Sequence, residues 1–207
     1  LFILDEMITG FRWDIKGATD YFGLAPDLVT YGKAAANGFS MAFLGGKAEV
    51  MELGGIHQQG MERVFLLSST HGGEMSSLGA MLATLNIYKE EGTVENLWSI
   101  AQTYKQMFLD AISSHRLSDF VQLQGSALLP VLTFLDDSGQ NSPYLRTVFQ
   151  HAMVEKGILM PWISYSIGHE EPEVVSATME AFSHSLKEIN RLKSNPAAAP
   201  FEPDSYV

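Results

Sequence analysis

The chain has 207 residues, enough for one large domain or two small ones, and its 46% hydrophobic content suits a globular protein with a buried core. Its formal charge is -11 and no cluster of Lys and Arg forms a stripe for phosphate backbones, so nucleic acid and anionic membranes are excluded as expected partners. Cysteine is absent, which rules out disulfides and thiolate metal sites, and no stretch is long and apolar enough to cross a bilayer; a cytoplasmic protein is the expectation.

The elements then follow in chain order. Leu1 to Leu4 is a continuous apolar run, expected as a parallel strand buried on both faces, with Asp5 and Glu6 at the carboxyl end where ligands are met. A chain that enters a core strand at its first residue is expected to be partial. Residues 9 to 27 are rich in Gly, aromatics and Asp and read as a loop with one short helical turn. Leu28 to Tyr31 is a short β-prone run, after which Gly32 is expected to turn the backbone sharply and aim Lys33 inward. Phe39 to Leu44, bracketed by Gly38 and Gly45-Gly46, reads as another strand. Gly45-Gly46-Lys47 is too short for a phosphate-binding loop.

From Glu74 the period changes. Met75, Leu78, Met81, Leu82, Leu85 and Tyr88 recur at helical spacing and predict an amphipathic helix that Gly92 can end. Thr93 is expected to cap a long helix with Val94, Leu97, Ala101, Tyr104 and Phe108 on its apolar face. Phe120 to Leu123 and Leu128 to Phe134 predict two strands joined across Gln124-Gly125-Ser126, with Pro130 favouring an edge. Ser142-Pro143 starts a helix with Leu145, Val148, Phe149, Ala152 and Met153 as its stripe, and Gly157 closes it. A short strand, Ile158 to Met160, is expected next, and then a helix from about Pro172 to Leu192 with basic residues near its end. Residues 195–207 read as an unstructured tail.

Lys33 and Asp5 carry the chemistry. An acid at the end of an apolar strand and a lone lysine beside a glycine supply what a pyridoxal phosphate enzyme needs: an amine to hold the cofactor's aldehyde as an imine, and a carboxylate to keep its ring nitrogen protonated. An isolated acid at a strand end more often caps a turn, and a lone lysine after a turn can be a solvated one. The small residues around Lys33, namely Gly32, Ala34, Ala35 and Ala36, favour room for a cofactor. The six histidines are scattered without metal-ligand spacing. His71 could touch the site, and His169 could as easily settle a turn as meet substrate.

Three segments stand in a set order: Asp5-Glu6-Met7-Ile8-Thr9-Gly10-Phe11-Arg12, Pro26-Asp27-Leu28 through Gly32-Lys33, and Ser68-Ser69-Thr70-His71-Gly72-Gly73-Glu74. Together they resemble the class III aminotransferases, the pyridoxal phosphate family of fold type I that includes glutamate-1-semialdehyde aminomutase. The resemblance implies an α/β fold, with residues 1–92 as the end of a large cofactor domain built on a mostly parallel sheet, and residues 93–194 as a small α+β domain. It implies that Lys33 forms the imine and shuttles the substrate proton, with burial lowering its pKa. It implies further that Asp5 pairs with the cofactor's ring nitrogen, that Met7 packs on the ring where the family usually has a branched residue, and that Thr70 reaches the cofactor phosphate of the neighbouring subunit. A homodimer with shared sites, acting on a small amine donor and a carbonyl acceptor, is the corresponding expectation.

Two departures qualify it. The family's earlier segment, with its Gly-Ser or Gly-Thr phosphate turn and stacking aromatic, does not precede Asp5 here, so the chain is expected to be a carboxyl-terminal half. A fragment that serves only as a dimerising module is the rival expectation. Ile8 and Met160-Pro161-Trp162-Ile163-Ser164 stand where many ω-amino-acid members have Gln and a carboxylate-binding Arg. Thr9-Gly10-Phe11-Arg12 is closer to the aminomutase-like branch, and Arg12 is balanced between substrate binding and a structural ion pair. Intramolecular and intermolecular transfer stay open.

Overall fold

The computed structural model describes residues 1–54, 60, 72–195, 197 and 199. They divide into two compact units, Leu1–Glu95 and Asn96–Val207.

The first unit is built on a three-stranded sheet in the order β1-β2-β3. Strand β1 (Ile3–Asp5) runs parallel to β2 (Leu28–Gly32), and β3 (Ala42–Gly46) runs antiparallel to β2. The connection from β1 to β2 is the expected loop, with one short helix, α1 (Ala18–Tyr21). Asp27 ties the open end of the sheet together: its carboxylate accepts from the Phe2 amide at 2.7 Å and from the Lys47 ammonium at 2.6 Å. Lys47 is therefore half of an ion pair. After β3 come α2 (Ala48–Met51) and, beyond the undescribed residues, α3 (Met75–Glu90).

Three expectations are corrected here. Leu1, Phe2 and Ile3 are exposed, so β1 is not enclosed on both faces in this chain. The third strand begins at Ala42 rather than Phe39, because the Phe39 amide is spent on the Ala36 carbonyl in a turn. The helix predicted from Glu74 forms, yet its apolar stripe is only half covered: Leu78, Met81, Leu85 and Tyr88 are partly buried, while Met75 and Leu82 are exposed.

The second unit holds a contiguous core. Helix α4 (Thr93–Ser114) begins just before it and buries Leu97, Ala101, Tyr104 and Phe108, the face its spacing predicts. Strands β4 (Val121–Gln124) and β5 (Val131–Phe134) form an antiparallel hairpin whose loop is longer than expected, since Gln124 pairs with Val131 and leaves Gly125 to Pro130 outside the ladder. Helix α5 (Pro143–Glu155) starts where Ser142-Pro143 predicts, with the Ser142 hydroxyl accepting from the Leu145 amide at 3.2 Å. All five residues of its stripe are buried. Helix α6 (Pro172–Lys193) packs along α5, with Phe182 lying between Phe108, tilted against it at 4.3 Å, and Phe149, edge-on at 5.5 Å. The predicted strand Ile158 to Met160 does not form; the segment is irregular, and a β-prone run without a partner strand gains no ladder. Among the described residues no helix is long and apolar enough to cross a membrane, and no group of His, Cys, Asp or Glu could hold a metal ion.

Candidate active site

The parallel pairing of β1 with β2 brings the two candidate residues to one sheet end. Register sets Asp5 opposite Thr30, and Lys33 follows the last residue of β2. Asp5 Oδ1 accepts from the Met7 amide at 2.9 Å and from the Thr30 hydroxyl at 3.0 Å. Those two bonds, with the Lys33 charge adding to them, hold the Asp5 carboxyl below the ordinary aspartate value, against a smaller opposing effect of burial. Oδ2 has no hydrogen bond among the described residues. The carboxylate is thus ionised, oriented through one oxygen and open at the other, which suits a ring N–H as its partner.

Lys33 opens a 3-10 turn, Lys33–Ala35, with φ of 42°. A non-glycine residue in that left-handed region costs about 1 kcal/mol, so neighbouring bonds must hold it there. The Lys33 carbonyl accepts from the Asn37 amide at 3.1 Å, and the Tyr88 hydroxyl of α3 donates to the Ala34 carbonyl at 2.9 Å. The sharp feature expected at Gly32 therefore sits one residue later. Gly32 itself is extended, with φ of -172°, and any residue could adopt that. What Gly32 provides is space: a Cβ there would run into the Met7 thioether and the Met41 carbonyl oxygen. Met7 lies across Gly32, beside the lysine turn. Ala35 and Ala36 are buried, but Lys33 is exposed, so the expected burial of the lysine is not found in this chain.

Glu6 is the residue that sequence reasoning missed. It is 1% exposed, and its carboxylate takes four donors: Thr9 Oγ1 at 2.5 Å, the Ala18 amide at 2.9 Å, the Thr19 amide at 2.6 Å and Thr19 Oγ1 at 2.7 Å. Burial alone would raise its pKa; the Thr9 and Thr19 hydroxyls and the two amides outweigh burial and hold it below the ordinary glutamate value. Gly17, at φ 86°, leaves the room this carboxylate occupies. The loop that carries Phe11 and Arg12 is pinned from beneath by Glu6. Phe11 is buried and packs on Tyr31 and Tyr88, both at 5.6 Å. Arg12 is half-buried, and its charge partly offsets the rise that burial causes in the Tyr88 pKa.

The remaining predicted residues fall elsewhere. Thr70 and His71 lie outside the described residues. His169 belongs to the second unit, where its Nδ1 accepts from the Ser166 amide at 3.0 Å and settles the turn before α6. Within the first unit, then, the structure gathers Asp5, Met7 and Lys33.

The family model for class III aminotransferases matches residues 1–161. A glutamate-1-semialdehyde 2,1-aminomutase of Archaeoglobus fulgidus is 31% identical over 199 residues, covering 90% of this chain and 45% of that protein. A 3-aminobutyryl-CoA aminotransferase of Cloacimonas acidaminovorans is 28% identical over 194 residues, covering 93% and 45%. The chain thus spans about half the length of the relatives it matches. Among solved structures, the pyridoxal phosphate internal aldimine form of the FumI protein of Sphingopyxis sp. MTA144 superposes with a TM-score of 0.77 at 19% identity, over 97% of this chain and 45% of that one. An omega-transaminase of Sphaerobacter thermophilus gives 0.76 at 21%, over 91% and 44%. At these identities the likeness shows the fold, that of the pyridoxal phosphate-dependent transaminases.

Proposed function

From the premise that this chain belongs to the class III aminotransferase family, we propose that it carries the lysine and the acid of a pyridoxal phosphate enzyme that moves an amino group between a small amine donor and a carbonyl acceptor. The observation that carries the reading is the pairing of an oriented, ionised Asp5, open at Oδ2, with Lys33 at the same end of the β1 and β2 strands. When bound, pyridoxal phosphate supplies an aldehyde and a ring that takes up electron density as a substrate proton leaves.

The protein's part is position and proton transfer. With the cofactor bound, Asp5, open at Oδ2, would hold the ring nitrogen in its protonated form and so keep the ring electron-poor. Lys33 would hold the aldehyde through its amine and, when freed by a substrate amine, would take and carry the proton that leaves the substrate α carbon. Met7, lying over Gly32, would pack on the ring. The proposal extends to a homodimer in which the Thr70 hydroxyl and amide bind the phosphate held by the neighbouring subunit. An intramolecular shift of the amino group uses the same residues, and the aminomutase name of the Archaeoglobus fulgidus relative favours it as the second reading.

The test is direct. Pyridoxal phosphate added to the purified chain should give the yellow absorbance of a lysine-bound cofactor, and Lys33→Ala should abolish it. An unaltered chain that stays colourless, or a Lys33→Ala chain that turns equally yellow, would overturn the assignment. On a chain that passes, a screen of amine donors with and without a separate carbonyl acceptor separates transfer from the intramolecular shift.

A further inference from the structure

We infer that Tyr88 is a positioning residue for Lys33, acting on the lysine through the backbone of its turn; the inference rests on the reading of Lys33 as the cofactor-holding lysine. The β2–β3 ladder ends at Gly32, which pairs with Ala42, so strand bonds hold nothing beyond that point. Two left-handed residues then follow close together, Lys33 and Asn37, each with φ of 42°. Between them the turn is closed by weak or moderate bonds to one acceptor: the Lys33 carbonyl takes the Ala36 amide at 3.4 Å and the Asn37 amide at 3.1 Å. Among the described residues, the hydrogen bond that fastens this turn to another element comes from the Tyr88 hydroxyl, which donates to the Ala34 carbonyl at 2.9 Å from a helix lying fifty-four residues further along the chain.

The hydroxyl is well aimed. The Tyr88 ring stacks on Phe11 at 5.6 Å with an interplanar angle of 12°, and Phe11 packs in turn against Tyr31 of β2. Phe11 belongs to the loop that Glu6 pins through Thr9, Ala18 and Thr19. Tyr88 is thereby seated on a rigid neighbour and delivers its one donor to the carbonyl next to the lysine. Burial raises the Tyr88 pKa above the ordinary tyrosine value, with Arg12 only partly opposing, so the hydroxyl keeps its proton across the range in which an aminotransfer chemistry runs. A lysine that must alternate between bond-holder and proton carrier needs its Cα fixed while its side chain swings; a displacement of about an ångström costs such a group much of its rate.

Tyr88→Phe keeps the stack on Phe11 and removes only the donor. In the cofactor-free chain, hydrogen exchange at the Ala36 and Asn37 amides should speed up about fivefold, the effect of losing a net hydrogen bond of about 1 kcal/mol, while the Thr30 and Leu44 amides of the β2–β3 ladder stay unchanged. With pyridoxal phosphate added, the lysine-bound absorbance should require several-fold more cofactor to reach half its maximum. Unchanged exchange at the turn overturns the inference. Faster exchange spread equally over turn and ladder also overturns it, because it marks Tyr88 as a general prop for the unit. A failure of the functional reading itself has a different signature: the unaltered chain develops no lysine-dependent absorbance, and the exchange at Ala36 and Asn37 still decides whether Tyr88 sets the turn.

Discussion

Glu6 carries a heavy polar load, with four donors on one buried carboxylate. Both of its oxygens are occupied, Oε2 by the Thr9 hydroxyl and the Ala18 amide, Oε1 by the Thr19 amide and hydroxyl. Glu6→Gln puts an NH2 group against two donors on one side, so the variant loses charge-assisted bonds and gains a clash of like partners; about 3 kcal/mol of stability should go, read as a lower urea midpoint at neutral pH. The sign of the pH dependence follows from the lowered pKa. The unfolded chain protonates Glu6 at a higher pH than the folded one, so the carboxylate's contribution is whole above the unfolded value and fades as pH falls through the folded value. The gap between the two proteins should therefore narrow in acid; a gap that widens there would refute the assignment of stability to the ionised form. Asp5 and Lys33 stand out in the sequence because Asp5 ends β1, Lys33 follows the last residue of β2, and each sits in a motif. Glu6 does not, because three of its four donors come from Ala18 and Thr19, twelve and thirteen residues further on, and are brought to it only by the loop's fold.

At the scale of elements, the sequence was most legible where a helix meets its partners within its own unit. The stripes of α4 and α5 are buried as their spacing predicts. Helix α3 has an equally regular stripe, yet Met75 and Leu82 face solvent. Periodicity states that a face favours cover; what covers it is decided elsewhere in the fold. The same distinction explains Ile158 to Met160, whose β propensity found no strand to pair with. Ends were legible where local chemistry sets them. The Ser142 cap should be worth about 1 kcal/mol, so Ser142→Ala should lower the urea midpoint by that amount, and Ser142→Asp should restore it. Equal stability of the alanine variant would mean that Pro143 alone sets the start of α5. Gly32 makes the opposite case. Gly32→Ala keeps dihedral angles that alanine can adopt, forces the Met7 side chain aside and crowds the Met41 carbonyl oxygen, which should cost about 2 kcal/mol and weaken cofactor binding along with it. A smaller partner at position 7, Met7→Ala, should relieve most of that cost in the double variant; strict additivity of the two changes would show that they do not meet.

On the scale of the whole molecule, the two units bury their side chains very differently, and that difference sets which opens first. In Asn96–Val207 the core is continuous, running from Leu97 and Phe108 of α4 through Phe149 of α5 to Phe182, Leu186 and Ile189 of α6, the last three with no exposed surface at all. Among the described residues of Leu1–Glu95 the sheet has three short strands, β1 is paired on one edge alone, and Leu1, Phe2 and Ile3 are exposed. Local opening is cheapest where few apolar contacts are lost, so protection against hydrogen exchange should be graded. The amides from Tyr104 to Ile112 in α4 and from Phe182 to Ile189 in α6 should exchange slowest, those of β2 faster, and those of β1 fastest among the strands. Phe182→Ala supplies the check, because it removes a ring packed against both Phe108 and Phe149 and should cost about 4 kcal/mol. If burial sets the order, that single change should raise the exchange rates of the α4 and α6 amides toward those of β2. If β1 outlasts α6 in the unaltered chain, or if α6 keeps its protection without Phe182, the continuous core is not what makes the second unit the more stable one.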